Sequence, residues 1–258
     1  MSLGIVIPAY EPDLNVLSAY VEAIQSVLDP AELRVELDDA TPAVREAVEA
    51  LPLTVNAVSG RRGKGTAITA GFQALETDVL ALADADGATP VHELQNVVDP
   101  VLAGNVDLAV GSRRHPDAEV ADSQSLARQY MGDSFAWLAR NMLDVSLYDY
   151  QCGAKALTAE CWGVIRPHIS SPGFAWDVEL IAMAGATGQS IREVPIEWHD
   201  RPDSTVPPVR TAFELGTTLL RAHHRAKRLE NSSVHEAIGS VYKEPTPLIE
   251  RESVGNNE

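Results

Sequence analysis

The first 111 residues alternate short apolar runs with amphipathic stretches, and this alternation constrains the fold more than any other feature of the chain. LGIVIP (3–8), LRVEL (33–37), LTVNAV (53–58), DVLALAD (78–84) and VDLAVGS (106–112) read as strands. Helical periodicity marks 14–28, 41–51, 65–76 and 91–104, with Thr41 as N-cap and Pro42 at the first helical position. Near-continuous apolar strands joined by helical crossovers predict an α/β domain with a mostly parallel central sheet covered on both faces. Ligands of such sheets bind beyond the carboxyl ends of the strands. Those ends are Pro8–Glu11, Asp38–Asp39, Ser59–Lys64, Asp84–Gly87 and Gly111–Arg114, where most of the unusual polar clusters fall.

The second half is less regular. Helices are expected over roughly 123–144, along WDVELIAMAGATG and over 206–229, with a strand in SIREVPIEW. Residues 1–230 read as a single domain. From Asn231 the chain is polar, acidic and scattered with Pro, which predicts a disordered tail over 231–258.

A net charge of −17 argues against general nucleic-acid binding, because phosphates are repelled. Only four of the 20 basic residues are Lys, a balance that suits a protein kept soluble in strong salt, as in a halophile. No run of about 18 apolar residues occurs, so no membrane span is expected. MSLGIVIPAYEPD lacks a basic region before its short apolar run and reads as a strand, not a signal peptide. Cys152 and Cys161 lack zinc-site spacing and read as free thiols of a cytoplasmic protein.

Three motifs bear on chemistry. SGRRGKGTA (59–67) is no Walker loop, since Val58 and Gly65 stand where Gly and Ser or Thr are required. It remains a basic, Gly-rich turn feeding a helix N-terminus, which favours an anion if it is more than a surface turn. ALADADGATP (81–90) holds the one Asp-x-Asp of the sequence, although chance placement of the 17 Asp gives about one such pair. Its context is more telling. Asp84 and Asp86 follow a buried strand at period two, so both carboxylates project to one side. Two hard oxygen ligands there suit Mg²⁺ or Mn²⁺, and Lys64 with the metal would neutralise a departing diphosphate. A helix-capping turn is the plainer alternative. His92-Glu93 has no His at 96, so there is no zincin motif, and His223-His224 reads as interfacial or solvated.

Taken together, IVIPAYEPD, LDDATP, RRGKGTA, DADGATP and VGSRR resemble glycosyltransferase family 2, the inverting GT-A transferases that use nucleotide sugars. The downstream YDYQCGAKALT and FAWDVELIAMAGATGQSIREVPIEWHDRPDST are similar to the dolichyl-phosphate glucosyltransferases and their archaeal counterparts. The resemblance covers roughly residues 3–229. It implies a GT-A fold and a donor pocket of Pro8, Ala9, Tyr10, Glu11, Asp39, Gly63, Lys64, Asp84 and Asp86, with the last two as metal ligands. It implies acceptor-phosphate contacts from Arg113, Arg128, Arg201 and Ser204, with Asp149, Gln151 and Lys155 in the acceptor-side motif. Asp177 and Glu179 belong to the motif flanking the sugar. The sequence departs from the pattern at Glu11-Pro12, Arg61, Tyr148 and Ala154. Ala88 stands where mannose synthases carry Gln, which favours the glucosyl branch.

The implied reaction moves a hexose, glucose from UDP-glucose on this reading, to dolichyl or polyprenyl phosphate, feeding protein N-glycosylation. GDP-mannose as donor, a soluble glycan as acceptor, and a non-catalytic nucleotide-sugar-binding module are the alternatives. A phosphate monoester is already anionic at neutral pH, so the site must chiefly hold two anions together. Asp86, Asp149, Arg113, Arg128 and Arg201 are the catalytic candidates, with Asp149 either a base or an orienter of the cations. The expected helix over 206–229 is locally basic and amphipathic, so it either lies on an anionic lipid surface or packs on the domain. The expected location is the cytoplasmic face of the cell membrane, held peripherally.

Overall fold

The computed structural model describes residues 1–120, 126–199, 208–229 and 245–251, and side chains throughout these except at 119–133 and 208–215. Strand β1 (Leu3–Tyr10) lies inside a seven-stranded sheet with β2 (Glu32–Asp38), β3 (Thr54–Val58), β4 (Val79–Leu82), β5 (Leu108–Ser112), β7 (Lys155–Thr158) and β8 (Ile191–Pro195). The order is β3-β2-β1-β4-β7-β5-β8, and β7 alone runs antiparallel, against β4 and β5. Two short strands, β6 (Glu119–Val120) and β9 (Glu197–Trp198), pair in parallel beside it.

Alternation along the strands divides the core into two layers. On one face Val6, Leu80, Leu82, Leu108 and Val110 pack under α3 (Lys64–Ala74), α5 (Leu126–Met142), α6 (Ala159–Ile165), α7 (Trp176–Ala186) and α8 (Pro208–Leu229). On the other, Ile5, Ile7, Val79, Ala81 and Ala109 meet α1 (Leu14–Leu28) and α4 (Val91–Leu102). Burial on both faces is why the strands read as continuous apolar runs. Asp13 caps α1 by accepting the N–H groups of Asn15 at 2.9 Å and Val16 at 3.2 Å. Thr41 caps α2 (Pro42–Glu49), with Pro42 at its first turn as the sequence predicts.

The chain leaves β1 for β2 on one side and reaches β4 on the other. The carboxyl ends of β1 and β4 therefore form the topological switch point at which such sheets hold ligands.

Two parts depart from the sequence reading. Ile196 separates β8 from β9 inside the single strand expected for 190–198, its N–H donating to Ser112 O at 3.1 Å. Within the expected disordered tail, Leu248 is buried against the α3–α8 layer and its N–H donates to Ile169 O at 2.7 Å. Arg251 Nη2 adds a hydrogen bond to Ser170 O at 2.8 Å.

The C-terminal half of α8 packs inward, burying Leu219, Ala222 and Ala226. Its Arg225 is buried as well, 2.5 Å from Glu179 Oε1 and 3.0 Å from Ser170 Oγ, while Lys227 reaches Asp144 at 2.5 Å. Packing on the domain, one of the two alternatives for this helix, thus holds over this stretch. Both cysteines are buried free thiols. Burial pushes Cys152 up to about 11 and Cys161 up to about 12, so neither is a nucleophile at neutral pH.

Candidate active site

Asp84 follows the end of β4, where Ala83 N–H still donates to Val6 O at 3.1 Å. The chain then turns sharply. Asp86 Oδ1 accepts the N–H of Ala88 at 2.9 Å, and Gly87 takes a left-handed φ of 62°. This leaves Asp86 exposed and the Asp84 side chain 38% exposed at the mouth of the switch-point crevice. Beneath the turn, the Tyr20 hydroxyl of α1 is buried without a hydrogen-bond partner among the described residues. Burial raises its pKa and the carboxylates of Asp84 and Asp86 raise it further, so the phenol stays neutral.

Lys64 opens α3, and its position follows from tight local packing. A Cβ at Gly63, where φ is 93°, would stand 2.6 Å from Pro172 O, and one at Gly65 would stand 2.4 Å from Ser171 O. The Gly-Lys-Gly turn is thereby clamped to residues 171–173. Lys64 Nζ lies 2.8 Å from Asp84 Oδ1 and 3.7 Å from Asp177 Oδ2. Asp177 Oδ1 in turn receives Lys155 Nζ at 2.5 Å, giving a chain of alternating charge, Asp84–Lys64–Asp177–Lys155. Burial works against the charge on Lys64, but Asp84 and then Asp177 outweigh it and hold its pKa above the ordinary value. Burial likewise opposes ionisation of Asp84, and Lys64 overcomes it, so Asp84 titrates below the usual range.

The neighbouring arginines have different partners. Arg62 turns back onto β2, with Nε 2.8 Å from Asp38 Oδ1 and Nη2 3.0 Å from Glu36 Oε2. The guanidinium of Arg61 stacks 3.9 Å from the centre of the Tyr10 ring.

A second pair stands at the end of β5. Asp149 accepts Arg113 Nε at 2.7 Å and Nη2 at 3.0 Å, a bidentate geometry. It also accepts the backbone N–H of Gln151 at 2.9 Å. Glu193 of β8 braces the segment by accepting the N–H groups of Tyr148 and Asp149 at 2.8 and 2.9 Å. Burial resists the charge on Asp149, yet Arg113 prevails and holds its pKa far below the usual carboxylate range. The positive charge of Arg113 also helps, after Lys64 and Lys155, to hold the Asp84 pKa low.

Gly153 makes room for the carboxylate between them: a Cβ there would fall 1.8 Å from Asp84 Oδ2. Gly153→Ala must therefore displace Asp84, and a shift of about 1 Å in such a group costs on the order of 10²-fold in rate. Steady-state kinetics of that variant, with an unchanged circular-dichroism spectrum, is the check.

The structure thus brings together Lys64, Asp84, Asp86, Arg113, Asp149 and Gln151, near Pro8, Ala9 and Tyr10 at the end of β1. Glu11 and Asp39 are exposed at the same edge, both with left-handed φ, 47° and 51°. One expectation is corrected. Lys155 is buried in β7 with Nζ on Asp177 and Cys152 O, so it is not available to touch an acceptor. Glu179 is also buried away from the crevice, held by Arg225 and the Ser170 and Ser171 N–H groups. Arg128 sits on α5 with its side chain outside the described residues, and Arg201 and Ser204 lie outside them altogether. Sequence reasoning missed Asp38, Tyr20 and Gly153. Of these, Gly153 left a trace as the Gly in CGAK and Asp38 as the first acid of LDDATP, while Tyr20 left none.

A mostly parallel seven-stranded sheet flanked by helices, with a carboxylate pair, a lysine and a bidentate arginine past its carboxyl ends, is the GT-A fold. The sequence pattern of Glycosyl transferase family 2 matches residues 4–151, and the chain belongs to that family. It is 30% identical over 231 residues to glycosyltransferase AglD of Haloferax volcanii, an alignment covering 86% of this chain and 37% of that protein. It is 23% identical over 242 residues to dolichyl-phosphate beta-glucosyltransferase of Dictyostelium discoideum, covering 86% and 74%. The chain therefore spans well under half of AglD. Among solved structures, mannosyl-3-phosphoglycerate synthase from Rubrobacter xylanophilus superposes with a TM-score of 0.66 at 17% identity, covering 90% of this chain and 75% of that one. Glucosyl-3-phosphoglycerate synthase from Mycobacterium tuberculosis, in complex with Mn²⁺, UDP and glucosyl-3-phosphoglycerate, gives 0.63 at 17%, covering 86% and 79%.

Proposed function

We propose that the protein is an inverting, metal-dependent hexosyltransferase that moves glucose from UDP-glucose to dolichyl or polyprenyl phosphate, supplying lipid-linked sugar for protein N-glycosylation. The observation that carries this reading is the Asp84–Lys64 pair past β4 beside the 149–153 segment, whose Asp149 holds Arg113 and whose Gly153 leaves room for Asp84. Two anions must be brought together in this reaction, a nucleoside diphosphate and a lipid phosphate. Lys64 faces the first and Arg113 the second. An oxygen of the lipid phosphate forms a bond to the anomeric carbon. The bond from that carbon to the diphosphate breaks on the opposite face, and its electron pair leaves with the nucleoside diphosphate.

The acceptor is already anionic, so no strong base is needed. Asp149 fits that economy: with both oxygens hydrogen-bonded and its pKa depressed, it is a poor base and a good orienter of Arg113. Asp84 and Asp86 present ionised, hard oxygen donors of the kind that hold Mg²⁺ or Mn²⁺. When bound there, such an ion supplies Lewis-acid neutralisation of the departing diphosphate. The Mn²⁺ and UDP of the mycobacterial structural relative support this choice, as the dolichyl-phosphate glucosyltransferase relatives support the acceptor.

No helix among the described residues is long and apolar enough to cross a membrane. Trp137 of α5 and Leu220 of α8 are 63% and 61% exposed on two helices that pack together, which supports peripheral contact with the lipid at the cytoplasmic face.

The test is transfer from a panel of labelled UDP- and GDP-hexoses, with Mg²⁺ or Mn²⁺ and dolichyl phosphate, scored as organic-phase label. UDP-glucose is expected to be the preferred donor and Asp86→Ala to abolish metal-dependent transfer. Wild-type turnover by that variant, or GDP-mannose as the better donor, contradicts the reading.

A further inference from the structure

At the start of α4, four side chains converge that no sequence motif links. His92 and Glu93 occupy the first turn of that helix, Glu197 lies in β9, and His199 follows it. His92 Nε2 is 3.5 Å from Glu93 Oε1 and 4.0 Å from Glu197 Oε2. The ligand atoms of these three all lie within 4.8 Å of one another. Tetrahedral bonds of about 2.0–2.2 Å place neighbouring ligand atoms roughly 3.3–3.6 Å apart. The His92–Glu93 separation already meets that spacing, and the His92 side chain is 61% exposed.

Each carboxylate is also steered from behind. Asn96 Nδ2 donates to Glu93 Oε2 at 3.2 Å, and His199 Nε2 stands 3.2 Å from Glu197 Oε1. Outer partners of this kind fix the orientation of metal ligands and strengthen them. Among the described residues, both carboxylates face imidazoles.

We propose that His92, Glu93 and Glu197 form a site for a transition cation of the Zn²⁺ class, with His199 as the outer partner of Glu197. One imidazole with two carboxylates favours Zn²⁺, whereas the all-oxygen pair Asp84 and Asp86 favours Mg²⁺ or Mn²⁺, so the two sites differ in selectivity. The site goes beyond the proposed transferase reading and does not depend on it. It has a mechanical consequence too. The N–H of His199 donates to Ala88 O at 3.0 Å, two residues beyond Asp86, and the chain then runs on to Arg201 and Ser204. A cation here ties β9 to α4 and so braces the start of the segment to which the resemblance assigns acceptor contacts.

The test uses the tag-free full chain, stripped with a chelator and titrated with Co²⁺, whose visible ligand-field band reports a four-coordinate nitrogen–oxygen site. One equivalent is expected to develop the band and Zn²⁺ to erase it. The band should persist in Asp86→Asn and vanish in His92→Ala and Glu197→Gln. His199→Ala should weaken Zn²⁺ binding about 10- to 100-fold by calorimetry at unchanged stoichiometry. His92 is mostly exposed, so His92→Ala keeps the fold, which matching circular-dichroism melts verify. A wild-type chain without the band, a band surviving His92→Ala, or one lost in Asp86→Asn overturns the proposal.

Discussion

Lys64→Met is expected to lower kcat for hexosyl transfer by about 10²–10³-fold, the cost of removing one preorganised group that stabilises developing negative charge. The substitution keeps the apolar stem and deletes the ammonium that sits 2.8 Å from Asp84. Two effects then act in the same direction. On the proposed reading the leaving diphosphate loses a cation, and Asp84 loses the partner that holds its pKa low. Asp177 is cushioned, because Lys155 still reaches it at 2.5 Å, so folding should suffer less than rate. Single-turnover kinetics with a thermal melt separates the two; a melt that collapses while the residual rate per folded molecule stays near wild type would falsify the role given to Lys64.

Asp149→Ala should act the other way round, chiefly on stability. Removing one partner of a buried, hydrogen-bonded ion pair costs about 3–5 kcal/mol. The lower end, about 3 kcal/mol, is expected here because Arg113 keeps 21% exposure and can recruit water. The pH dependence has a definite sign. Folding depresses the Asp149 pKa, so its contribution is complete above the unfolded carboxyl value of about 4. That contribution drains away as the pH falls from there towards the lower folded value. Asp149→Asn, which keeps the shape, should flatten this acid limb in denaturant melts taken at successive pH values. An acid limb identical to wild type would mean that the carboxylate is not ionised in the folded state.

How far these residues were legible in the sequence depended on how local their chemistry is. The β1–α4 half could be read because strands buried on both faces leave continuous apolar runs and because Asp13 and Thr41 announce their helices. Asp84 and Asp86 could be read because they follow a buried strand, and Lys64 because a Gly-rich turn feeds the helix it opens. β7 could not. It is four residues long and begins with Lys155, whose charge is neutralised by an aspartate twenty-two positions away. A buried lysine and an exposed one look alike in a sequence, and it is the family resemblance that places Lys155 in the acceptor-side motif. Arg225 misled in the same way: it counts towards the basic face of α8, yet it turns inward to Glu179. Asp38 and Asp39 are adjacent acids that point apart, and only pairing with Arg62 distinguishes the structural one from the exposed one. The His92–Glu197 cluster joins elements a hundred residues apart and left no motif.

The turn at Leu248–Glu250 touches α3 and the short turn at Arg166–His168, and through Ile169 and Ser170 it backs the stretch that clamps the Gly-Lys-Gly turn. The floor under Lys64 is therefore completed by a contact that closes one of the longest loops in the chain. Contacts of such sequence separation form late, after the entropy of loop closure has been met. The central strands are thus expected to pair before the proposed donor pocket acquires its shape. During refolding, recovery of nucleotide binding should accordingly trail the recovery of sheet structure.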